Sequence, residues 1–297
     1  MNCALIGTTK IASIHVREMI NNGIKEITII SRSKKKAKRF INNLNFQDIV
    51  FIPEKISILK KKKFDFINIC SATKVHLKHL KYLGQSNSIV IVEKPIFSIL
   101  DHKKNFIDIL DKIYSKNKKI YICYPMSFLA KTFIKLSKNK NIKKIGINYY
   151  TTGNKKYKDI AIDLIPHTVV FLYFLIKKKI NFTLKKSNIK KIKIEKSKWF
   201  AKLEINKIII YIKLIENNKK IKSIFSFKVN KIIIKRDTKF ENGNFQNYLN
   251  YKKQSYKIKN PMTEMFQSIF KNASNNNFFT NNKKLTYKLM KDSRYLV

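Results

Sequence analysis

At 297 residues, with 44% hydrophobic and 12% aromatic side chains, the chain holds two ordinary domains with packed cores and is no disordered polymer. Its net charge of +46 points first to a polyanion partner, but the lysines run along the whole chain instead of gathering on one face. Five of the 64 basic residues are arginine (Arg17, Arg32, Arg39, Arg236 and Arg294), and the abundant Lys, Asn, Ile, Phe and Tyr share AT-rich codons, so the excess reads as codon drift and no specific nucleic-acid partner is expected.

In chain order, short apolar runs alternate with amphipathic segments over the first 124 residues. The runs predict strands at Cys3–Ile6, Glu26–Ile30, Ile49–Ile52, Phe66–Cys70, Ser88–Val92 and Ile120–Cys123. Helices are predicted at Ile11–Asn21, Lys34–Leu44, Thr73–Leu83 and Ile99–Tyr114. Strands so continuously apolar are those of a parallel sheet covered on both faces, so this alternation predicts a doubly wound α/β domain. Beyond Tyr124 the spacing predicts a helix at Phe128–Leu136, a strand at Ile145–Thr151 and a helix at Leu164–Ile176. Long strands follow, such as Lys207–Leu214 and Lys222–Lys235, then helices at Met262–Lys271 and Lys283–Lys291. The polar stretch Asn272–Asn282 is expected as a surface loop. The expected domains are therefore residues 1–124, a Rossmann-type parallel sheet, and 125–297, an α+β domain with an open, mostly antiparallel sheet.

Cys3, Cys70 and Cys123 are far apart and form no CxxC pair, which argues against a disulfide framework and a zinc site and fits a reducing cytoplasm. The start, Met1 to Gly7, has no basic segment of the signal-peptide kind. The longest apolar stretch, Val169–Ile176, falls short of the ~20 residues of a membrane span. No metal and no membrane are expected.

The first strand runs into Gly7-Thr8-Thr9-Lys10-Ile11-Ala12. A dinucleotide fingerprint has Gly, any, Gly, any two, then Gly or Ala. Gly7 and Ala12 fit its ends, while Thr9 stands where backbone should approach a diphosphate. After the second strand come Ser31 and Arg32, with no carboxylate to receive a ribose 2′-hydroxyl. A guanidinium there suits a 2′-phosphate, so NADP is expected over NAD.

Downstream lie Asp65-Phe66-Ile67-Asn68-Ile69-Cys70-Ser71-Ala72-Thr73-Lys74-Val75-His76 and Ile91-Val92-Glu93-Lys94-Pro95. Further on are Asp163-Leu164-Ile165-Pro166-His167 and the segment Asn260 to Phe266. In this order they resemble the glucose-fructose oxidoreductase / inositol dehydrogenase / rhizopine catabolism (Gfo/Idh/MocA) family. That resemblance covers nearly the whole chain. It departs at Thr9, Ser71, Ala72 and Ile165. It implies a cis Lys94–Pro95 bond and hydride transfer between a nicotinamide and a hydroxyl or carbonyl carbon of a sugar, cyclitol or sugar nucleotide. Lys94, His167 and Asp163 are the implied catalytic residues. Gly7, Thr8, Thr9, Lys10, Ile11, Ser31, Arg32, Ser71, Ala72, His76, Glu93 and Lys94 form the expected cofactor site. A homo-oligomer, dimer or tetramer, is expected as well.

The residues give an independent rationale. Ligands of open α/β sheets bind at strand carboxyl ends, where Lys94 falls. Asp163 and His167 share a helix face, and Pro166 places the helix start near Leu164. That makes Asp163 a cap and puts His167 in a first turn, where the positive helix end would lower its pKa. Two other readings stay open: a non-catalytic dinucleotide-binding member of this fold, and a basic nucleic-acid-binding protein.

Overall fold

The computed structural model describes residues 1–137, 142–176, 183–217, 224–241 and 244–297. The first elements are β1 (Cys3–Ile6), α1 (Lys10–Asn21), β2 (Glu26–Ser31), α2 (Lys34–Asn42), β3 (Val50–Lys55) and β4 (Phe66–Ile69). Then come α3 (Thr73–Leu83), β5 (Ile89–Val92), α4 (Phe106–Lys116), β6 (Ile120–Ile122), α5 (Met126–Ser137), β7 (Lys144–Thr151) and α6 (Lys158–Ile176). Seven strands follow: β8 (Ile189–Glu195), β9 (Lys198–Ile205), β10 (Ile208–Glu216), β11 (Ile224–Val229), β12 (Ile232–Glu241), β13 (Asn244–Tyr251) and β14 (Gln254–Ile258). The chain closes with α7 (Pro261–Lys271) and α8 (Asn276–Ser293). It forms two compact units, Met1–Cys123 with Met265–Lys288, and Tyr124–Glu264 with Leu289–Val297.

Unit 1 is a six-stranded sheet in the order β3-β2-β1-β4-β5-β6, parallel throughout. Strands β1, β4, β5 and β6 are buried at every position, which is why they read as apolar runs, broken only by Asn68 in β4. The chain reverses its winding between β1 and β4, where such sheets open a crevice.

Residues 265–288, placed in the second half by sequence, pack in unit 1. The ring of Phe270 stacks on Phe66 at 4.5 Å and that of Phe278 on Tyr121 at 5.2 Å. The Asn-rich segment is a helix, not a loop, from Asn276 onward. Asn275 Oδ1 caps it by accepting from the amides of Asn277 and Phe278. Asn282 is buried and acts as a strand partner for the edge strand β6. It accepts from Ile122 N at 2.8 Å and donates to Ile122 O at 3.1 Å. The helix expected from Ile99 begins only at Phe106.

Unit 2 is an eight-stranded sheet, β14-β13-β12-β11-β7-β10-β9-β8, antiparallel except for the β7–β10 pair. The α/β plus α+β class expected from sequence is what the chain adopts. Three of its described hairpins turn on residues other than glycine: Asn206 and Lys207, Asn230, and Lys252 and Lys253 all hold positive φ. The expected strand Lys222–Lys235 is therefore two strands folded back at Asn230; its first residues, Lys222 and Ser223, lie outside the described residues.

The long helix α6 covers one sheet face. Phe171 meets Phe133, Phe225 and Phe227 with ring centroids 4.7–5.6 Å apart. By length and composition α6 is apolar enough to cross a bilayer, unlike the shorter stretch read from sequence, but its apolar side chains are spent on this core. It starts at Lys158, not Leu164, with Pro166 well inside it. Burial of Ile160, Ala161, Leu164 and Ile165 holds the turns around the proline, where a local rule would begin the helix.

Candidate active site

Unit 1 gathers most of the expected residues at the carboxyl ends of β2, β1, β4 and β5, neighbours in the sheet. Gly7 follows β1 with φ +117, and a Cβ there would lie 2.7 Å from Ser71 N and 2.8 Å from the Cys70 carbonyl. Only glycine permits that approach. Thr9, at the middle fingerprint position, donates its hydroxyl to Cys70 O at 2.7 Å, fastening the turn to β4. The helix α1 that begins at Lys10 and Ile11 has no side-chain cap. Its first amides are thus not claimed by a neighbouring side chain and suit an anion. By contrast, α2 is capped by Ser33 Oγ, which accepts from Lys36 N. Ser31 ends β2, and Arg32 stands exposed beyond it.

Beneath these loops lies a buried polar cluster. Cys70, Glu93 and Cys123 each follow the last residue of a strand, on β4, β5 and β6, and their amides extend the ladder to Ile6, Ile69 and Val92 carbonyls. His15 of α1 is fully buried over them, with Phe266 edge-on to its ring at 5.0 Å. His15 Nε2 donates to Glu93 Oε1 at 2.7 Å, and Nδ1 faces Asn68 Oδ1 at 3.2 Å. Both partner atoms are acceptors, which favours the protonated ring. Burial alone would lower the His15 pKa, but Cys70 and Glu93 outweigh it and hold the pKa well above its ordinary value. Burial likewise works to raise the Glu93 pKa, and the hydrogen bond and charge of His15 bring it below the usual range. Burial, and then the Glu93 charge, push the Cys123 thiol far up. Ligand atoms of His15, Glu93 and Cys123 lie within 4.8 Å of one another. With His15 and Glu93 in direct contact, however, the cluster is an ion pair beside a protonated thiol.

Glu93 is anchored inward on His15, and Lys94 follows it just beyond the carboxyl end of β5. Lys94 is half-buried, and the Lys94–Pro95 bond is cis. A second histidine secures the far side of this loop. His76, buried on α3, faces Ser71 O with Nε2 at 2.8 Å and Pro95 O with Nδ1 at 3.0 Å. Burial lowers its pKa, against the pull of those two carbonyls. His76 was expected to meet the cofactor; both ring nitrogens are instead taken by backbone, and it holds the loops that carry Ser71 and Lys94. Glu93 is similarly committed to His15. Ala72 precedes α3 with no side-chain cap, and Ser71 Oγ meets His79 Nδ1 at 2.9 Å. Burial pulls the His79 pKa to about 4, with the charges of His76 and Lys78 adding to it.

In unit 2, Asp163 and His167 lie mid-helix on α6, not at its start. Asp163 is therefore no N-cap, and the helix terminus does not act on His167. The Asp163 carboxylate pairs with Lys155 Nζ at 2.7 Å, and the His167 ring meets Tyr149 edge-on at 5.8 Å. Sequence reading passed over Asn68, His79, Tyr149 and the buried role of Cys123. Only Asn68 carried a signal, a lone amide inside the apolar run Phe66–Ile69.

A parallel sheet in this order, with a glycine turn and an uncapped helix at its switch point, defines a dinucleotide-binding Rossmann protein carrying a second, sheet-built unit. Residues 1–122 match the family model described as the oxidoreductase family, NAD-binding Rossmann fold, of the Gfo/Idh/MocA proteins. Over this N-terminal region the chain is similar to that oxidoreductase family, in line with the resemblance of its motifs. Solved structures share the whole fold. A myo-inositol dehydrogenase from Corynebacterium glutamicum is 13% identical with TM-score 0.59, over 98% of this chain and 95% of the other. A 3-ketoreductase from Actinomadura kijaniata, in a complex with TDP-benzene and NADP, is 10% identical with TM-score 0.64, over 98% and 94%. UDP-N-acetylglucosamine 3-dehydrogenase from Acidithiobacillus ferrooxidans is 9% identical with TM-score 0.59, over 100% and 99%. No curated protein matches the chain by sequence.

Proposed function

We propose that this chain is a dehydrogenase or reductase that moves a hydride between a nicotinamide dinucleotide, preferably NADP, and a hydroxyl or carbonyl carbon of a sugar, cyclitol or sugar nucleotide. The observation that carries the reading is Lys94, presented at the end of β5 by a buried Glu93–His15 pair behind it. The residues of unit 1 fit the cofactor: the uncapped start of α1 suits a diphosphate, and exposed Arg32 suits a 2′-phosphate. Bound nicotinamide supplies or accepts the hydride. The Lys94 ammonium donates to the reacting oxygen and favours its alkoxide form. His167 takes or returns the hydroxyl proton on an imidazole nitrogen, and Asp163 orients that ring or holds a second substrate hydroxyl.

Lys94→Ala and His167→Ala should each lower kcat by about 10²–10⁴-fold while leaving NADPH affinity within a few-fold of wild type. Unchanged turnover would refute the assignment. NADH binding as tight as NADPH would refute the role given to Arg32. Thr9 in place of the middle glycine favours a second reading, a dinucleotide-binding protein without turnover. Enhanced NADPH fluorescence with no activity on any polyol or sugar would establish it.

The same reading includes a cytoplasmic homo-oligomer. The unit 2 sheet face opposite α6 leaves Ile224 and Ile233 40% and 49% exposed, an apolar surface for a second copy. Light scattering that gives a monomer would exclude the oligomer.

A further inference from the structure

One arginine stands out on the α6-facing side of the unit 2 sheet. Arg236 lies in a single cross-strand row with Phe225, Tyr149, Leu214 and Trp199. Rows deeper in the same face are wholly apolar, such as Ile234, Phe227, Ile147, Ile212 and Ala201. The polar row begins where Tyr149 meets His167.

Arg236 is half-buried, and among the described residues its hydrogen-bond partner is a neutral amide. Nε and Nη2 both donate to Asn247 Oδ1, at 3.1 and 2.7 Å. Among the described residues no carboxylate pairs with it. The carboxylates on this side are spent elsewhere, Asp163 on Lys155 Nζ at 2.7 Å and Glu216 on Lys155 N at 2.9 Å. Burial lowers the Arg236 pKa, with the neighbouring Tyr149 working against it, so the ion lacks the compensation that buried charges ordinarily have. Sequence adds an independent argument. In a chain whose basic residues are mostly lysine, this half-buried position carries a guanidinium, a flat, two-pronged donor. Such a donor fits an oxyanion.

We infer that Arg236, braced by Asn247 and flanked by Tyr149, recognises an oxyanion of the substrate, a carboxylate or a phosphate. The inference rests on the hydride-transfer reading and narrows its substrates to anionic sugars: sugar acids or sugar nucleotides.

The test is calorimetric binding to the full chain, with glucuronate as the carboxylate probe and uridine diphosphate as the phosphate probe. Salt of about 0.3 M, with a screening length of roughly 5 Å, suppresses sticking to the lysine-rich surface. Saturable binding of one probe identifies the source of the oxyanion. Arg236→Lys keeps the net charge, so non-specific attraction is unchanged, yet affinity should fall about tenfold or more. Asn247→Asp supplies the guanidinium with a carboxylate of the chain's own. It should abolish probe binding while melting no lower than wild type, which keeps the test decisive if Arg236→Lys fails to fold. Equal affinity in either variant, or no binding of either probe, overturns the inference. Turnover of a neutral polyol with neither probe bound would remove it and leave the hydride-transfer reading standing. Probe binding through Arg236 without turnover would do the reverse.

Discussion

Replacing Glu93 by Gln tests whether the His15–Glu93 pair organises unit 1. The amide has the shape of the carboxylate but no charge, so His15 would be left buried without its counter-ion. Breaking a buried pair from one side costs about 3–5 kcal/mol when the remaining charge must stay. His15 can relieve the cost by releasing its proton, at about 1.4 kcal/mol for each pH unit below its ordinary 6.5. The expected loss is thus largest in mild acid and shrinks as pH rises. The direction follows from both shifts. His15 is raised, so its contribution is complete below 6.5 and fades as pH climbs through its folded pKa. Glu93 is lowered, so its contribution is complete above 4.5 and fades as pH falls through its folded pKa. Both operate in full only between 4.5 and 6.5. The single tryptophan, Trp199, reports on unit 2 alone, so the assay is hydrogen exchange resolved by peptide. At pH 5.5 the amides of β1, β4 and β5 in the Gln variant should open with about 3–5 kcal/mol less free energy than in wild type. A difference that does not change between pH 5.5 and 9, or none at all, would refute the argument.

Two further substitutions probe backbone positions. Gly7→Ala meets the Cys70–Ser71 backbone at 2.7–2.8 Å and a positive φ. It should destabilise the β1–α1 turn by about 1–3 kcal/mol from the backbone strain alone and cut NADPH binding more than about tenfold. NADPH fluorescence titration checks this, and wild-type affinity would count against it. Lys253→Gly relieves a side chain at φ 64 in the β13–β14 turn. It should stabilise unit 2 by about 0.5–1 kcal/mol in urea melts followed by Trp199 fluorescence, and a lower midpoint would contradict the strain assigned there.

The parallel sheet was legible because burial on both faces leaves a chemical mark: Cys3–Ile6 and Ile89–Val92 have no polar position to confuse the period. The Lys94 segment was legible for a related reason, since a charged pair followed by Pro ends an apolar run abruptly. Turns were less so. In this composition Asn and Lys occupy positive-φ positions usually signalled by glycine, so Asn230 did not look like a hairpin and β11 and β12 merged into one strand. The start of α6 was lost to the opposite cause. A strong local signal, Pro166, was overruled by burial of residues on both sides of it, a tertiary effect that no window of sequence contains.

The same composition shows which local features carry information. Drift toward Lys and Asn acts wherever solvent or an indifferent turn accepts them, so a lysine here says little by itself. What resists drift is informative. Gly7 is glycine where the Cys70–Ser71 backbone leaves no room for a Cβ, while the positive-φ turns at Lys207 and Lys253 carry lysine. His15 and Glu93 stand where neither could be replaced without stranding the other. Arg236 stands among lysines where a second donor prong is used. On this logic Thr9 is not simple decay of a fingerprint: its hydroxyl supplies a bond from the turn to Cys70 O that glycine could not make. The turn is then fixed in place by a side chain, with the amides of α1 still clear of any cap.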